Sequence, residues 1–334
     1  MSGGLPSGSV AAFKSISDEL GQVKKLISEQ LLSCPEEIGV VRLVEHLNGC
    51  GGKMIRPGLV LLAGKAIGKI TGQHIRIAAI MEMIHNATLL HDDVIDKGQR
   101  RRGQATVNSL WGNESAVLLG DFLLSKVFRM CADSEPQVAK IIAAAAGRTC
   151  EGELRQVSQK ANWRLKETEY IDIITEKSAA LLSSCCYLGG LLAGAGEVEV
   201  RLLSDFGLNF GIAFQITDDL LDLVGNQKKT GKQIGNDLDN GRVTLPLIHL
   251  LRTTANEIDR ELVRGVLGGC GKRGRGKRYG ELAEKLRACG SIDYAQKRAQ
   301  EFTRRAIAAI EGFSPSESKN ALIELSQFAA QRVV

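Results

Sequence analysis

Apolar residues recur along the chain at intervals of three and four, the spacing that places side chains on one face of a helix. In the segment 73–97 the repeating positions are Ile77, Ile80, Met81, Ile84 and Thr88. Other long segments share the pattern and contain no proline beyond their first residue: 114–131, 136–159, 167–193, 198–224 and 291–311. No segment shows the alternation that is typical of a strand. The pattern predicts an all-α fold of roughly ten or more helices.

Three stretches interrupt the helical pattern. Residues 1–10 are rich in Gly, Ser and Pro and are predicted to be disordered, whereas 225–243 and 265–280 are punctuated by glycine and predicted to be loops. The second loop is strongly basic, so it is either a solvated linker or a contact for RNA or an anionic membrane. Because no Pro/Ser-rich linker divides the chain, we expect residues 11–334 to form a single helical domain.

Composition narrows the class of protein. The chain has 334 residues, of which 44% are hydrophobic and 24% charged, so it can bury a sizeable core. Its 43 basic and 38 acidic residues leave a net charge of +5, which does not by itself indicate a nucleic-acid partner. Its eight cysteines lack the spacings of zinc ligands, and the sequence has neither a signal pattern nor a long uncharged apolar run. We therefore expect a cytoplasmic protein that does not span a membrane.

Two helical segments carry the same pattern of aspartates. The first trio is Asp92, Asp93 and Asp96, and the second is Asp218, Asp219 and Asp222. Aspartates four residues apart project from one helix face and repel each other, and the apolar neighbours of both trios make unpaired charge costly. A hard divalent cation, held by few carboxylates and completed by water and phosphate oxygens, resolves both problems. The pattern predicts Mg²⁺ sites; a solvated acidic face is the alternative for either trio taken alone.

Basic residues accompany the first acidic trio. The segment GGKMIRP, residues 51–57, joins a glycine turn to Lys53 and Arg56, and the run 100–102 places three arginines after Asp96. Arginine makes fork-like contacts with phosphate and lysine acts as a point charge, so both clusters suit a polyanionic ligand such as a diphosphate. Taken singly, either cluster is equally well explained by a surface ion-pair network.

The motifs occur in a characteristic order. They read GGKMIRP, LLHDDVIDKGQRRRG, the pair Gly120-Asp121, EKSAALLSS, QITDDLLDLVGN, TGKQIGNDLDNGRVTLPLI and ACGSIDYAQKRA. From residue 11 almost to its end the chain resembles the head-to-tail trans-prenyltransferases, and it is most similar to the long-chain polyprenyl diphosphate synthases of bacteria. The resemblance implies an all-helical fold around a deep central cavity, a homodimer, and about three Mg²⁺ ions per active site. It also implies two substrates, isopentenyl diphosphate and an allylic diphosphate.

The resemblance further implies roles for individual residues. The implied metal ligands are Asp92, Asp96, Asp218 and, directly or through water, Asp222, with Asp93 and Asp219 supporting them. The residues implied to hold the allylic diphosphate are Arg101, Lys177 and Lys232. Those implied to hold isopentenyl diphosphate are Lys53, Arg56, His85 and Arg102. Ser178 and Gln215 are implied to line the reacting region. His85 is equally well explained as a core histidine. The chain departs from the family at Ser178, where threonine is common, at Arg242, where lysine is common, and at Arg100, where an apolar residue is frequent.

The implied reaction needs no nucleophilic side chain. Metal-assisted ionisation of the allylic diphosphate is followed by attack of the isopentenyl double bond on the allylic cation and by loss of a proton. An elongating tail that runs from Asp92 toward the start of its helix passes Thr88 and Ala87 and then Ile84. In the short-chain enzymes that the chain resembles, bulky aromatic residues close the tunnel near Ala87 and Thr88, which are small here.

The open tunnel predicts an all-trans product of roughly eight to ten isoprene units. The alternative is a shorter, geranylgeranyl product, if Ile84 or a residue of another helix blocks the tunnel. A non-catalytic partner subunit of a heteromeric synthase is expected to have lost some of these aspartates or cations. A class I terpene cyclase does not need GGKxxRP, and a nucleic-acid-binding scaffold leaves both trios unexplained. Release of so apolar a product predicts transient contact with a membrane surface.

Overall fold

The computed structural model describes residues 12–33, 37–49, 52–101, 103–224, 235–254, 256–267 and 275–331. These residues are almost entirely helical, which confirms the predicted all-α class. The predictions for residues 1–10, for Arg102 and for Lys232 lie outside the described residues, as does most of the predicted loop 225–243. Within these ranges, no helical segment combines the length and the apolar character that spanning a bilayer requires.

The helices follow one another with short connections. In chain order they are α1 (Ser17–Leu32), α2 (Ile38–Gly49), α3 (Ile55–Ile67), α4 (Gly72–Ile95), α5 (Val107–Ala132), α6 (Pro136–Ser158), α7 (Glu167–Ile174), α8 (Ala180–Leu192), α9 (Glu197–Val224), α10 (Asn236–Asp239), α11 (Leu245–Thr253), α12 (Glu257–Leu267), α13 (Arg275–Ala288), α14 (Ser291–Ala309) and α15 (Glu317–Gln331). A 3₁₀ turn (Lys14–Ile16) precedes α1, and a π-helical turn (Thr175–Ala179) joins α7 to α8.

Several boundaries differ from the sequence prediction. The segment 167–193 is not one helix, because the π-helical turn interrupts it. The predicted helix 114–131 begins earlier, at Val107, and bends at Gly112, whose φ of 87° breaks the helical backbone. The prediction of a loop over 265–280 is wrong at both ends, since α12 continues to Leu267 and α13 begins at Arg275. Residues 268–274 lie outside the described residues. Among the described residues, strands occur only as the two-residue pair β1 (Arg100–Arg101) and β2 (Gln104–Ala105).

Contacts among the described residues group them into two compact units. The first comprises described residues within 1–146, 182–207 and 309–325, and the second those within 147–181, 208–308 and 326–334. The first acidic trio belongs to the first unit and the second trio to the second unit. The single-domain organisation stays a prediction.

The core of the first unit forms around α4, which packs against α5, α3 and α1. Ile77, Ile80 and Met81 of α4 are fully buried, as the apolar spacing predicts. Burial of α4 extends to polar side chains as well, including His74 and Glu82. His74 closes the helix start, since its Nδ1 accepts the Thr71 backbone N–H at 3.1 Å. A helix buried on most of its surface is held in place, which fixes the position of the aspartates at its end.

The core of the second unit joins α7, α9, α11, α12, α13 and α14. Tyr170 of α7 and Ile216 of α9 are members of this cluster, together with Leu247 of α11. Pro246 lies in the first turn of α11, where the missing N–H of proline has no cost. This cluster supports the part of α9 that carries the second acidic trio.

Candidate active site

The first acidic trio ends α4. Asp92 and Asp93 lie in its last turn, and Asp96 is the C-cap, with its backbone N–H donated to the Asp92 carbonyl oxygen at 2.8 Å. Asp92 and Asp96 are half-buried, whereas Asp93 is 7% exposed. The spacing of four residues therefore places Asp92 and Asp96 next to each other, as the sequence predicts.

Arg101 binds the buried member of the trio. Its Nε donates to Asp93 Oδ1 at 2.9 Å, and its second guanidinium nitrogen lies 2.7 Å from the same oxygen. Burial alone would lower the pKa of Arg101, but the hydrogen bond to Asp93 and the charges of Asp93, Asp92 and Asp96 raise that pKa above its ordinary value. Arg101 therefore lies in the field of all three aspartates and stays charged.

The short pair of strands holds Arg101 in this position. Gly103 adopts a φ of 81° in the turn between β1 and β2, a conformation that glycine takes without strain. Thr106 Oγ1 then donates to the Gly98 carbonyl oxygen at 2.7 Å. Asn108 Nδ2 donates to the carbonyl oxygens of Asp93 and Gly98, both at 3.1 Å. These bonds tie the arginine-bearing turn to the end of α4.

The residues that the resemblance assigns to isopentenyl diphosphate lie on two helices of the first unit. Lys53 and Arg56 flank the start of α3, and both are half-buried. Met54 between them has a left-handed φ of 52°, which bends the chain at the helix start. His85 is half-buried in α4, two helical turns before Asp92 and therefore on the same face.

The residues assigned to product length lie on α4 below Asp92. Ala87 is fully buried and Ile84 is 2% exposed, whereas Thr88 is half-buried. The Thr88 hydroxyl donates to the His85 carbonyl oxygen at 2.9 Å, so it is satisfied within the helix. Residues 87 and 88 are therefore small, whereas Ile84, one turn closer to the start of α4, is larger and buried.

Four side chains form a hydrogen-bonded series that includes Asp219 of the second acidic trio. Ser178 Oγ donates to Gln215 Oε1 at 2.8 Å, and Gln215 Nε2 donates to Asp219 Oδ1 at 2.8 Å. Tyr170 Oη donates to Asp219 Oδ2 at 2.7 Å. The structure therefore brings Ser178 and Gln215 together, two residues that the resemblance places in one region. Asp218, the neighbour of Asp219, is half-buried.

Burial raises the pKa values of two members of this hydrogen-bonded series, Asp219 and Tyr170. Asp219 is 6% exposed. Burial and the charges of Asp237 and Asp218 raise its pKa to about 8, although the hydrogen bonds from Tyr170 and Gln215 act in the opposite direction. Burial and the Asp219 charge likewise raise the pKa of Tyr170 well above its ordinary value. The Tyr170 hydroxyl therefore keeps its proton and remains a donor to Asp219.

Asp222 connects the end of α9 to the next described segment. Its Oδ1 accepts the backbone N–H of Asn236 at 3.2 Å, and its Oδ2 accepts that of Asp237 at 2.9 Å. The backbone N–H of Gly235 is donated to the Asp222 carbonyl oxygen at 2.9 Å. Asp222 thus satisfies amides at the start of α10, a structural role that the sequence motif does not reveal.

Lys177 lies in the π-helical turn, a distortion that is frequent at functional sites. Its Nζ forms an ion pair with Glu153 and donates to Gln156 Oε1 at 2.6 Å. Arg242 lies 4.0 Å from the same Glu153 and 3.0 Å from Asp237. Glu153, which the sequence analysis missed, therefore joins two cations. In the sequence, Glu153 is marked only by its position next to Gly152 in a helical segment, and this pattern does not distinguish it from other carboxylates.

The donor set fits Mg²⁺. Among the described residues no group of three or more His, Cys, Asp or Glu side chains converges on one point. Magnesium does not require such a cage, because it is usually bound by one or two carboxylates, waters and the phosphates of a substrate. Asp92 and Asp96 offer two hard oxygen ligands on one helix face, with Asp93 and Arg101 beside them. The arrangement suits a metal that arrives with a diphosphate.

Comparison with known proteins identifies the family. Residues 39–274 match the family model described as polyprenyl synthetase. The chain belongs to the polyprenyl synthetase family. Its predicted class, a trans-prenyltransferase that joins isoprenoid diphosphates, is thereby confirmed. The match spans GGKMIRP and both acidic trios.

Relatives within the polyprenyl synthetase family cover nearly the whole chain. Octaprenyl diphosphate synthase of Escherichia coli (strain K12) is 36% identical over 316 residues, which are 94% of this chain and 96% of that protein. A short chain isoprenyl diphosphate synthase of Methanothermobacter thermautotrophicus is 34% identical over 298 residues, 88% of this chain and 90% of that protein. The crystal structure of polyprenyl synthase from Caulobacter crescentus CB15, complexed with calcium and isoprenyl diphosphate, has a TM-score of 0.91 and 30% identity, and covers 98% of both chains.

Proposed function

We propose that this polyprenyl synthetase condenses isopentenyl diphosphate onto an allylic diphosphate to make a long-chain all-trans polyprenyl diphosphate of about eight to ten isoprene units. The observation that carries the proposal is the pair of acidic trios. Arg101 binds Asp93 of the first trio, and the second trio is joined through Asp219 and Gln215 to Ser178, the neighbour of Lys177. The similarity to an octaprenyl diphosphate synthase along nearly the whole chain supports it.

The acidic residues are proposed to bind Mg²⁺ together with the allylic diphosphate. Asp92, Asp96 and Asp218 are the proposed ligands, with Asp222 contributing from a carboxylate that also binds backbone amides. When bound, about three Mg²⁺ ions would supply positive charge that stabilises the departing diphosphate. The calcium and isoprenyl diphosphate in the related Caulobacter enzyme support a divalent cation beside a diphosphate.

The basic residues are proposed to orient the two substrates. Arg101 and Lys177, with Lys232, hold the allylic diphosphate, and both described cations are already fixed by carboxylates, which reduces the entropy lost on binding. Lys53 and Arg56, with His85 and Arg102, hold isopentenyl diphosphate. Ser178 and Gln215 form one hydrogen-bonded pair and are proposed to line the reacting region, where they limit the access of water to the allylic cation.

Product length is proposed to follow from α4. Ala87 and Thr88 are small, which favours a long product, while Ile84, one turn before Thr88, is bulkier and buried. The second candidate is a geranylgeranyl product, and the similarity to a short chain isoprenyl diphosphate synthase favours it to a lesser degree. A non-catalytic partner subunit is the third, and the complete set of aspartates speaks against it.

We also propose that the enzyme is a homodimer. Val117 and Phe128 lie three turns apart on one face of α5 and are 40% and 70% exposed in the single chain, and Leu118 beside them is 66% exposed. Large apolar side chains on one helix face are typical of an interface between copies. A cytoplasmic location is proposed from the cysteines, because Cys185 and Cys186 are free thiols, as is usual in proteins of reducing compartments.

The experiment that tests the function is product analysis. Purified protein is incubated with Mg²⁺, farnesyl diphosphate and radiolabelled isopentenyl diphosphate, and the dephosphorylated products are separated by chain length. A ladder that ends at about forty carbons is expected. A stop at about twenty carbons would keep the reaction and refute the open tunnel. No incorporation with any allylic starter would refute the catalytic role and favour a partner subunit.

A variant at Lys53 tests the division between the two substrate sites. Lys53→Ala is expected to raise the apparent KM for isopentenyl diphosphate about tenfold or more and to leave the KM for the allylic substrate within about twofold. The expectation follows because one ammonium contact contributes to one diphosphate only. Equal increases in both constants would refute the assignment of Lys53 to the isopentenyl diphosphate site.

A further inference from the structure

The second unit has a basic surface pocket that the reaction does not use. It has a volume of about 580 Å³ and lies between the segment 163–168, which leads into α7, and residues of α11 and α12. Four of its lining residues are cations, namely Arg164, Lys166, Arg252 and Arg260, and one, Glu167, is an anion. None of these residues belongs to the acidic trios or to their proposed partners.

The single carboxylate in the pocket is already neutralised from elsewhere. Glu167 Oε2 accepts the Tyr294 hydroxyl at 2.6 Å, and Glu167 Oε1 accepts Arg298 Nε at 2.9 Å. Arg252 lies farther away, 3.8 Å from Oε2, and its side chain is 67% exposed. Arg164 and Lys166 are also exposed. Arg260 lies 3.6 Å from Glu257, which opposes its charge. The exposed Arg164, Lys166 and Arg252 still give the pocket an excess of positive charge, and such a surface attracts anions.

The ring of Trp163 packs against two arginine side chains. The guanidinium carbon of Arg164 lies 4.7 Å from the ring centroid of Trp163, and that of Arg264 lies 4.3 Å from it. Arg264 donates to Glu257 at 2.9 Å, so Arg164 is the stacked arginine of the pocket that can bind an anion. A stacked guanidinium group has less freedom to lose when it binds. Leu165 is buried beneath the pocket, and Leu251 and Ile248 also line it.

The combination of cations, an indole ring and an apolar floor selects an amphiphilic anion. A free phosphate would use the cations alone, whereas the phosphate group of a lipid places its glycerol and first methylene groups against apolar side chains. Tryptophan prefers this boundary between head groups and acyl chains, and arginine binds phosphate with its planar fork. Charge complementarity therefore indicates an anionic bilayer surface as the occupant.

We propose that the pocket around Trp163, Arg164, Lys166 and Arg252 binds the phosphate head groups of anionic phospholipids and docks the enzyme on an anionic membrane surface. The binding rests on the surface itself and not on the proposed reaction. The proposed function adds only a reason for it, because a polyprenyl product is too apolar to diffuse freely through water.

Vesicle flotation tests the proposal with the full-length protein. Wild type is mixed with vesicles of phosphatidylcholine, with or without phosphatidylglycerol, and the bound fraction is measured. Binding is expected only to vesicles with phosphatidylglycerol and is expected to weaken as salt rises. Because one basic residue near an anionic membrane contributes about fivefold, the variant Arg164→Gln/Arg252→Gln should bind roughly 25-fold more weakly.

The control variant has the same net charge. Lys25 and Arg201 are exposed surface cations in i,i+4 ion pairs with Glu29 and Glu197, outside the pocket. Lys25→Gln/Arg201→Gln is expected to bind vesicles within about twofold of wild type. An equal loss in both double variants would attribute binding to net charge and refute the pocket.

Tryptophan fluorescence reports on the pocket directly. The chain contains 2 tryptophans, so Trp111→Phe leaves Trp163 as the only reporter. Vesicles with phosphatidylglycerol should shift its emission to shorter wavelength, and phosphatidylcholine vesicles or inorganic phosphate should not. A response to inorganic phosphate alone, or to an RNA oligonucleotide without any binding of vesicles, would refute the lipid assignment.

Turnover separates this proposal from the proposed function. Condensation with soluble, short allylic substrates in detergent is expected to be unchanged in Arg164→Gln/Arg252→Gln. If wild type binds vesicles but forms no product, the docking surface stands and the proposed reaction fails. If it forms product but does not bind anionic vesicles, the docking surface is refuted.

Discussion

Gly152 of α6 lies directly against the backbone of Lys177. A β-carbon on residue 152 would come within 2.6 Å of the Lys177 Cα, closer than such atoms approach in proteins. The absence of a side chain at residue 152 therefore allows the π-helical turn to pack on α6. The same helix supplies Glu153 and Gln156, which bind the Lys177 ammonium. One turn of α6 thus fixes both the backbone and the side chain of a proposed diphosphate ligand.

This contact predicts opposite effects for two glycines of one helix. Gly152→Ala should reduce the free energy of unfolding by about 1 to 3 kcal/mol, because the Lys177 backbone must move, and turnover should fall with it. Gly147 has no atom within 4 Å of an added β-carbon. Gly147→Ala should raise stability by about 0.5 to 1 kcal/mol through helix propensity and leave turnover unchanged. Urea unfolding measures both, and equal effects of the two substitutions would contradict the packing.

Asp92 and Asp218 are expected to be essential for turnover but not for folding. Asp92→Ala and Asp218→Ala should each lower kcat by about two orders of magnitude or more, since each removes a proposed metal ligand. The circular dichroism spectrum should remain helical, because both side chains are only half-buried. The exposed Asp172 on α7 offers a matched control, and Asp172→Ala should keep full activity. Near wild-type turnover in either variant would refute its role.

The Tyr170 hydroxyl is expected to position Asp219. Tyr170→Phe removes a donor from a buried carboxyl group, which should cost about 1 to 3 kcal/mol of stability and lower kcat more than it raises either KM. Tyr294→Phe removes a similar tyrosine–carboxylate bond, to Glu167, which belongs to neither acidic trio. That control should lose stability but keep kcat. If both variants reduced kcat alike, the effect of Tyr170→Phe would be one of stability only.

Bulk at residues 87 and 88 is expected to shorten the product. Ala87→Tyr and Thr88→Phe each place an aromatic ring one turn below Asp92, where the proposed tail passes. Ala87 is fully buried, so its replacement also adds strain, whereas Thr88 is half-buried and accepts a larger side chain more readily. Separation of products by chain length should give shorter chains in both variants. An unchanged length in Thr88→Phe with normal stability would place the tunnel elsewhere.

His74 predicts a loss of stability in acid. Burial lowers its pKa below the ordinary value of 6.5, although its hydrogen bond to the Gly189 carbonyl oxygen partly opposes the shift. Below that value the unfolded chain binds a proton that the folded chain does not. The contribution of His74 to the free energy of unfolding is therefore fully present above about pH 7. It falls by up to about 1.4 kcal/mol per pH unit as the pH drops below about 6.5.

Glutamine at residue 74 keeps a donor for Gly189 but does not titrate. The variant His74→Gln should therefore show a smaller loss of stability than wild type between pH 7.5 and 5.5. Unfolding in urea at several pH values measures the difference. Parallel pH profiles for the two proteins would exclude His74 as the group responsible.

Much of the fold could be predicted because it is local. The periodic apolar positions of α4, α9 and α14 determine helices whatever surrounds them, and the repeated aspartate spacing determines that Asp92 and Asp96 share a helix face. The π-helical turn at 175–179 could not be predicted, because it depends on the close approach of Gly152 in a different helix. The start of α13 at Arg275 was likewise not predicted, because the glycines of this segment indicate a loop.

The helical class, the family motifs and the types of residue available for binding diphosphate and metal can be read from the amino-acid sequence, because they follow from neighbours in the chain. Which of these residues meet depends on how the helices pack. Tyr170 reaches Asp219, Glu153 joins Lys177 to Arg242, and Arg164 and Arg252 share one pocket, although each of these sets is far apart in sequence. Such pairings depend on how helices pack, and packing is decided by the shapes of whole buried surfaces, which no short motif encodes.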